Sequence, residues 1–245
     1  MNSSHGPLVA IATYNEIENL PRLVEAICEH VPTAHVLVVD DNSPDGTGRW
    51  CEKESTRNSQ LRCIHRPAKS GLGTATVAAM KYAIQNGYEY LVTMDADFSH
   101  DPQYVPVLLE GMSPNGKPHL DVMIGSRYIL GGSTEGWGLA RRLMSRSVNV
   151  FARYLLGLSP KDCSGAFRCF RTQTLEKLDF AQISSRGYSF QEEMLYHLTR
   201  LGARFGEVPI HFRNRQRGRS KINVSEAATA LRIILRLAMR ARLGI

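Results

Sequence analysis

Three acidic clusters mark the first hundred residues, and each follows a short apolar run: Thr13-Tyr14-Asn15-Glu16, Asp40-Asp41 and Asp95-Ala96-Asp97. Carboxylates gathered in one place repel one another unless something cationic lies between them. Asp95 and Asp97 set two hard oxygen donors one residue apart, which suits Mg²⁺ or Mn²⁺ and leaves positions open for a diphosphate. Such a metal neutralises charge that develops on a departing diphosphate. The same acids would also serve as helix caps, and spacing alone leaves both uses open. A basic group stands against them: Arg127 in Gly125-Ser126-Arg127-Tyr128, the pair Arg141 and Arg142, and then Arg213, Arg215, Arg217, Arg219 and Lys221 around Gly218 and Ser220. Guanidinium forks fit phosphate oxygens and lysine supplies a point charge, whereas the plain alternative is a solvated loop. Gly71-Leu72-Gly73-Thr74-Ala75-Thr76 nearly matches a dinucleotide fingerprint, but it reads better as a tight turn into a helix. Ser99-His100-Asp101 is no catalytic triad, since sequence neighbours cannot face one another as a triad requires.

The elements that must carry these residues follow from hydrophobic period. Leu8 to Thr13, Val36 to Val39, Leu61 to Ile64, Tyr90 to Met94 and Val122 to Ile124 read as buried strands. Between them, Leu20 to Val31 and Gly73 to Gln85 recur at helical spacing, and Pro102 opens a further helix. Strands separated by single helices predict a parallel sheet with helices on both faces, whose ligands bind outside the carboxyl ends of the strands. The acids lie at those ends, and Arg127 follows the fifth strand to the same edge. Beyond Gly131 the pattern loosens into a glycine-rich loop and a helix from about Arg141 to Leu156. Residues 225–245 predict an amphipathic helix capped by Ser225. Arg232, Arg236 and Arg240 lie on one face of it, and Leu231, Ile234, Leu235, Ala238 and Met239 on another. Either anionic lipid or the body of the protein would suit such a helix.

The chain has 245 residues, 43% hydrophobic and 22% charged, which is ordinary for a soluble globular protein and excludes a disordered one. It carries no membrane-spanning run, and its start lacks the apolar core of a signal peptide. Five cysteines without a Cys-x-x-Cys pair argue against a disulfide framework or zinc site and predict a reducing, cytoplasmic setting. The net charge of +7 is concentrated at one end, because residues 211–245 hold nine Lys or Arg and the single acid Glu226. No aromatic interleaving or nucleic-acid module accompanies that charge, so nucleic acid is not the expected partner.

Taken together, the motifs above resemble the dolichol-phosphate mannosyltransferases (polyprenol monophosphomannose synthases) of the inverting GT-A glycosyltransferases. The resemblance runs from about Leu8 to the end. The Asp40 to Thr47 stretch, with its Ser-Pro-Asp-Gly-Thr run, carries it most specifically, together with Phe190-Gln191 with Glu193 and the Arg215 to Lys221 pattern Arg-x-x-Gly-x-Ser-Lys. It implies an α/β GT-A nucleotide-diphospho-sugar transferase fold, a mostly parallel sheet flanked by helices with an amphipathic C-terminal helix. It also implies one catalytic domain over 1–245, with a nucleotide-sugar half (8–130), an acceptor half (131–224) and a basic helix (225–245). The implied reaction moves mannose from GDP-mannose to a polyprenyl phosphate with inversion.

By the same resemblance, Ala12, Tyr14, Glu16, Val39 and Asp41 hold the base and ribose. Asp95, Ala96 and Asp97, with Ser99, hold a divalent metal, Mg²⁺ or Mn²⁺, and the diphosphate. Arg127, Arg215 and Lys221 contact phosphate and, with Asp97, form the implied catalytic set. Arg141 and Ser145, with Arg127, meet the acceptor phosphate. The family commonly has proline at Ala12 and threonine at Cys163. The expected setting is peripheral, at the cytoplasmic face of a membrane, with a membrane-anchoring subunit as a candidate partner. A UDP-glucose-dependent relative, a sugar nucleotidyltransferase and a non-catalytic binding protein are the rival readings. A phosphate monoester acceptor is already anionic near neutral pH, so the reaction needs little or no general base.

Overall fold

Alternating side chains on the first strand divide the interior. In β1 (Leu8–Thr13), Leu8 and Ala10 point to one side of the sheet and Val9 and Ile11 to the other, as the two-residue period of a strand requires. The computed structural model describes residues 6–113, 119–187, 189–214 and 224–243. After β1 come α1 (Leu20–His30), β2 (His35–Asp40), α2 (Thr47–Ser55), β3 (Leu61–His65), α3 (Leu72–Gln85), β4 (Tyr90–Asp95), α4 (Tyr104–Gly111) and β5 (Val122–Ser126). The later elements are β6 (Ser133–Thr134), α5 (Leu139–Leu156), β7 (Arg168–Arg171), α6 (Thr172–Leu175), α7 (Phe190–Arg200), β8 (Phe205–Pro209), β9 (His211–Phe212) and α8 (Val224–Leu243).

Among the described residues seven strands form one sheet in the order β3-β2-β1-β4-β7-β5-β8. All neighbours are parallel except around β7, which runs antiparallel to both β4 and β5. The sheet is therefore mostly parallel, as expected. Its register brings Thr13 opposite Asp40 and Ala12 opposite Asp95, so the acidic strand ends share one edge. On one face lie α1, α2 and α4, contributing Leu20, Leu23, Ile27, Cys51, Val105 and Leu108. The other face is covered by α3, α5, α7 and α8, through Met80, Ala83, Ala152, Phe190, Met194, Ile234 and Leu237. The strand order reverses at β1, whose neighbours are β2 and β4, and an open α/β sheet binds ligands at such a switch point.

Several boundaries shift from the expectation. Pro102 sits in the turn before α4, which begins at Tyr104. Arg141 is the third residue of α5 rather than its first, and Ser225 is the second residue of α8 rather than its cap. The amphipathic α8 also divides its apolar residues: Ile234, Leu237 and Ala238 are buried on the body, whereas Leu231, Leu235 and Met239 face outward. Arg236 turns inward to the buried Glu193, 3.8 Å away, and donates to Ser184, while Arg232 is exposed. Arg240 lies outside the described side chains. No described helix is long and apolar enough to cross a membrane.

Candidate active site

The carboxyl ends of β1, β2 and β4 open into a cavity of about 360 Å³, in the size range of small-molecule sites. Ala12, Tyr14, Glu16, Asp41, Asp95, Ala96, Asp97, Ser99 and Arg141 all line it. The loops that present them are stitched together by the Ser43 to Thr47 run. Asp45 accepts from the Ile17 N–H at 3.1 Å and from the Thr47 N–H and hydroxyl at 3.0 and 2.6 Å. Thr47 Oγ1 in turn accepts from the Glu16 N–H at 3.0 Å, and Ser43 Oγ from the Asn15 N–H at 3.0 Å. Burial alone would raise the Asp45 carboxyl, but these donors hold it below the ordinary carboxylate value. A short polar stretch after β2 thus fixes the backbone of Tyr14 to Glu16 after β1. Asn15 and Asn42 take positive φ in these turns, which asparagine tolerates.

The turn after β4 is tighter. Asp97, only 4% exposed, accepts the Ser99 N–H at 3.0 Å, and Phe98 between them has φ of +59°, which is unusual for an aromatic residue. His100 is buried against Phe167, with ring centroids 4.9 Å apart, and its Nδ1 accepts the Asp95 N–H at 3.0 Å. Burial pushes its pKa down, so His100 is neutral and supplies no counter-charge to Asp95. Two carboxylates and the Ser99 hydroxyl therefore offer hard oxygen donors to the cavity, a set that fits a divalent cation. Among the described residues no group of three or more acidic, histidine or cysteine side chains converges. A cation here would complete its shell from the diphosphate and water.

Positive charge enters from two directions. Arg141, in the first turn of α5, lines the cavity; no acid accompanies it in that turn, so the side chain adds to the positive end of the helix dipole. Lys69 also lines the cavity and lies 4.1 Å from the Tyr14 ring centroid. Its sequence signal is its place shortly after β3, as for Arg66, at the carboxyl edge of the sheet. Arg66 donates to Asp41 and, at 2.7 Å, to Thr74 Oγ1, while the Ser70 N–H reaches the other Asp41 oxygen at 3.3 Å. Phe212, Asn214 and Gly187 are further lining residues without a sequence signal of their own.

Five expected contact residues are not brought to this cavity or lie outside the described residues. Arg127 is buried and forks onto Asp162, with both bonds at 2.7 Å, and reaches Ser164 at 2.9 Å. Asp162 also accepts the backbone N–H groups of Arg127 and Gly165. Desolvation would raise its pKa, but the adjacent guanidinium lowers it and keeps it ionised. Ser145 is paired with the Tyr128 hydroxyl at 2.6 Å, and Val39 backs onto a smaller neighbouring hollow with Ala12, Thr93 and Gln191. Arg215 and Lys221 lie outside the described residues, as does the rest of the Arg215 to Lys221 pattern.

Other motif residues act through structure. A Cβ on Gly71 would meet the Arg186 carbonyl oxygen at 2.3 Å, and φ is +99° there. The Gly73 N–H also donates to that oxygen at 2.9 Å, so the two glycines admit the 184–187 segment that carries Gly187 to the cavity. Glu193, fully buried on α7, accepts from the Ser184 and Ser185 N–H groups and anchors the same segment. Its neighbour Glu192 is buried near Arg168, and desolvation pushes its pKa up to about 7. Burial likewise lowers Arg168 to about 10, while that side chain donates to the Gln191 and Cys163 carbonyls.

Comparison with known proteins places this geometry. The profile of glycosyl transferase family 2 matches residues 8–179, and the chain belongs to that family. An undecaprenyl-phosphate mannosyltransferase of Micrococcus luteus is 39% identical over 235 residues, covering 96% of this chain and 95% of the relative. A polyprenol monophosphomannose synthase of Mycolicibacterium smegmatis is 38% identical over 237 residues, covering 96% and 88%. Among solved structures, glucosyl-3-phosphoglycerate synthase from Mycobacterium tuberculosis, in complex with Mn²⁺, UDP and glucosyl-3-phosphoglycerate, superposes with a TM-score of 0.66 at 19% identity. That match covers 98% of this chain and 81% of that one. A mannosyltransferase from Pyrobaculum calidifontis, in complex with GDP-Man and Mn²⁺, gives 0.56 at 14% identity, covering 100% and 66%. These two structures share the fold, which is GT-A, as the resemblance implied.

Proposed function

We propose that the protein transfers mannose from GDP-mannose to a polyprenyl phosphate, inverting the anomeric carbon. The observation that carries this reading is that one cavity is lined by both charges, Asp95 and Asp97 on the β4 turn and Arg141 at the positive end of α5. The two bacterial relatives, named for polyprenyl-phosphate mannose synthesis and aligned over nearly the whole chain, support it. Tyr14, Glu16 and Asp41 hold the nucleoside, with Lys69 beside Tyr14. Asp95, Asp97 and Ser99 hold a divalent cation, and the Mn²⁺ complexes of the two structural neighbours support that choice. When bound, the cation offsets charge on the leaving diphosphate.

Arg141 receives the acceptor phosphate monoester and holds one of its oxygens against the anomeric carbon. The new carbon–oxygen bond forms as the bond to the diphosphate breaks, and the electron pair leaves with GDP. The acceptor oxygen carries no proton to remove, which fits the buried His100, whose pKa burial pushes down, and the lack of a histidine in the cavity lining among the described residues. Arg127 shapes the acceptor side through Asp162 and Ser164, and Arg215 and Lys221 supply further phosphate contacts. Residues 8–130 form the donor half of a single catalytic domain and 131–224 the acceptor half, worked at the cytoplasmic face of a membrane. A small membrane-anchoring subunit would be an additional partner there.

A transfer assay with labelled GDP-mannose, polyprenyl phosphate and Mg²⁺ or Mn²⁺, run beside UDP-glucose, tests this directly. Metal-dependent label in a solvent-extractable lipid from GDP-mannose alone is expected. Label from UDP-glucose instead would move the protein to glucose transfer, and no lipid product from either donor would overturn the reading.

A further inference from the structure

We propose that Trp137 is the positioning residue for Arg141, and hence for the acceptor phosphate; this rests on the acceptor role given to Arg141 above. Trp137 lies between Gly136 and Gly138, immediately before α5, and is only 6% exposed. Gly136 takes φ of +74°, and a Cβ there would come within 3.0 Å of Asn214, so the turn that buries the indole depends on glycine. The Arg141 guanidinium carbon lies 4.1 Å from the Trp137 ring centroid, and the Arg127 guanidinium carbon lies 5.5 Å from the same centroid. Phe212 braces the indole edge-on at 5.5 Å. Arg141 Nη1 also reaches Asn214 Oδ1, at 3.4 Å.

Arg141, Phe212 and Asn214 line the cavity, whereas Trp137 stands behind them. A guanidinium at a cavity mouth is otherwise free to sweep through many rotamers, and each one lost on binding weakens the phosphate contact. An indole face fixes the plane of the fork through its ring rather than by accepting a hydrogen bond. Among the described residues nothing accepts from Trp137 Nε1, so the ring face, rather than its N–H, makes these contacts.

The test is steady-state kinetics of the full chain with a polyprenyl phosphate acceptor, comparing Trp137→Ala, Trp137→Phe, Arg141→Ala and the double variant Trp137→Ala/Arg141→Ala. Trp137→Ala should raise the acceptor KM about tenfold, the size of a well-placed cation–π contact, with the GDP-mannose KM within about twofold. Trp137→Phe, which keeps a ring face and the packing, should recover most of the loss. The double variant should be no worse than Arg141→Ala alone, because the indole acts through that side chain. Additive losses, equal changes in both KM values, or a Trp137→Phe variant as impaired as Trp137→Ala would overturn the proposal.

A binding readout separates this from failure of the transfer reading. In a Trp50→Phe background Trp137 is the sole tryptophan, and its emission should change on titration with geranyl phosphate. Arg141→Ala should abolish that change. If no sugar is transferred but this signal behaves as described, the positioning role stands without the activity; if the emission change survives Arg141→Ala, the role falls.

Discussion

Asp97 uses its carboxylate twice, since one oxygen accepts the Ser99 N–H while the charge faces the cavity. Asparagine keeps that acceptor and removes only the charge. Asp97→Asn should therefore lower kcat by about 100-fold or more, with an unchanged thermal midpoint; comparable activity at saturating Mg²⁺ would refute the cation-binding role. Glu192 shows the opposite electrostatics. Its folded pKa of about 7 lies above the ordinary 4.5, so the fold prefers it protonated. The stability this carboxyl contributes is complete below about pH 4.5 and is lost as pH rises through 7. Glu192→Gln should accordingly raise stability by on the order of 2–3 kcal/mol at pH 8 and by little at pH 4.5, as measured by denaturant unfolding at both values.

Single residues also mark where sequence reading stops. The acids were legible because each follows an apolar strand. The commitment of Arg127 was not, because its partner Asp162 is 35 positions away in a segment with no periodic signal. Lys69 carries no signal of its own beyond its place after β3, since one lysine in a polar turn looks like any solvated charge.

At the scale of elements, legibility follows how strand-like a segment's own side chains are. The early strands are apolar runs and stand out, but β7 is Arg168-Cys169-Phe170-Arg171 and β8 contains Gly206 and Pro209, which weaken a strand pattern. In α7, Glu192 and Glu193 give a buried helix a polar appearance, and Glu193 is compensated by Ser184 and Ser185 in the irregular segment before the helix, which carries no periodic signal. The last helix is the clearest case of divided duty. Removing residues 225–245 would strip Ile234, Leu237 and Ala238 from the core and confuse unfolding with loss of binding. The sharper variant is Leu231→Ser/Leu235→Ser/Met239→Ser, which alters only outward-facing side chains. On α5, the helix that packs against α8, Leu139, Leu143, Val150 and Tyr154 are exposed as well. In flotation with anionic liposomes the triple variant should lose most of the bound fraction at an unchanged melting temperature. Equal flotation would remove α8 from any membrane contact.

For the molecule as a whole, the decisive fact is that the sheet is not built in chain order. The two strands flanking β7 both precede it in the chain by more than forty residues, and β4 and β5 touch only through it. A chain ending at residue 130 should lack a cooperative unfolding transition, with the β4 edge unpaired and β5 without either neighbour. A sharp calorimetric transition in that fragment would show that the donor half folds alone.

The same insertion sets a timetable for biosynthesis. While the chain leaves the ribosome from its N-terminus, β1, β2 and β4 emerge with all of Glu16, Asp41, Asp95 and Asp97, yet β5 has no place to dock until Arg171 has followed. For some seventy-five residues of synthesis, counted from Asp95 to Arg171, the nascent sheet carries an open edge at β4 that only its own later strand closes correctly. The acidic floor of the cavity thus exists before the wall that bears Arg141 and Trp137 can be held over it, and the site is completed only when its last central strand is threaded between two that came before.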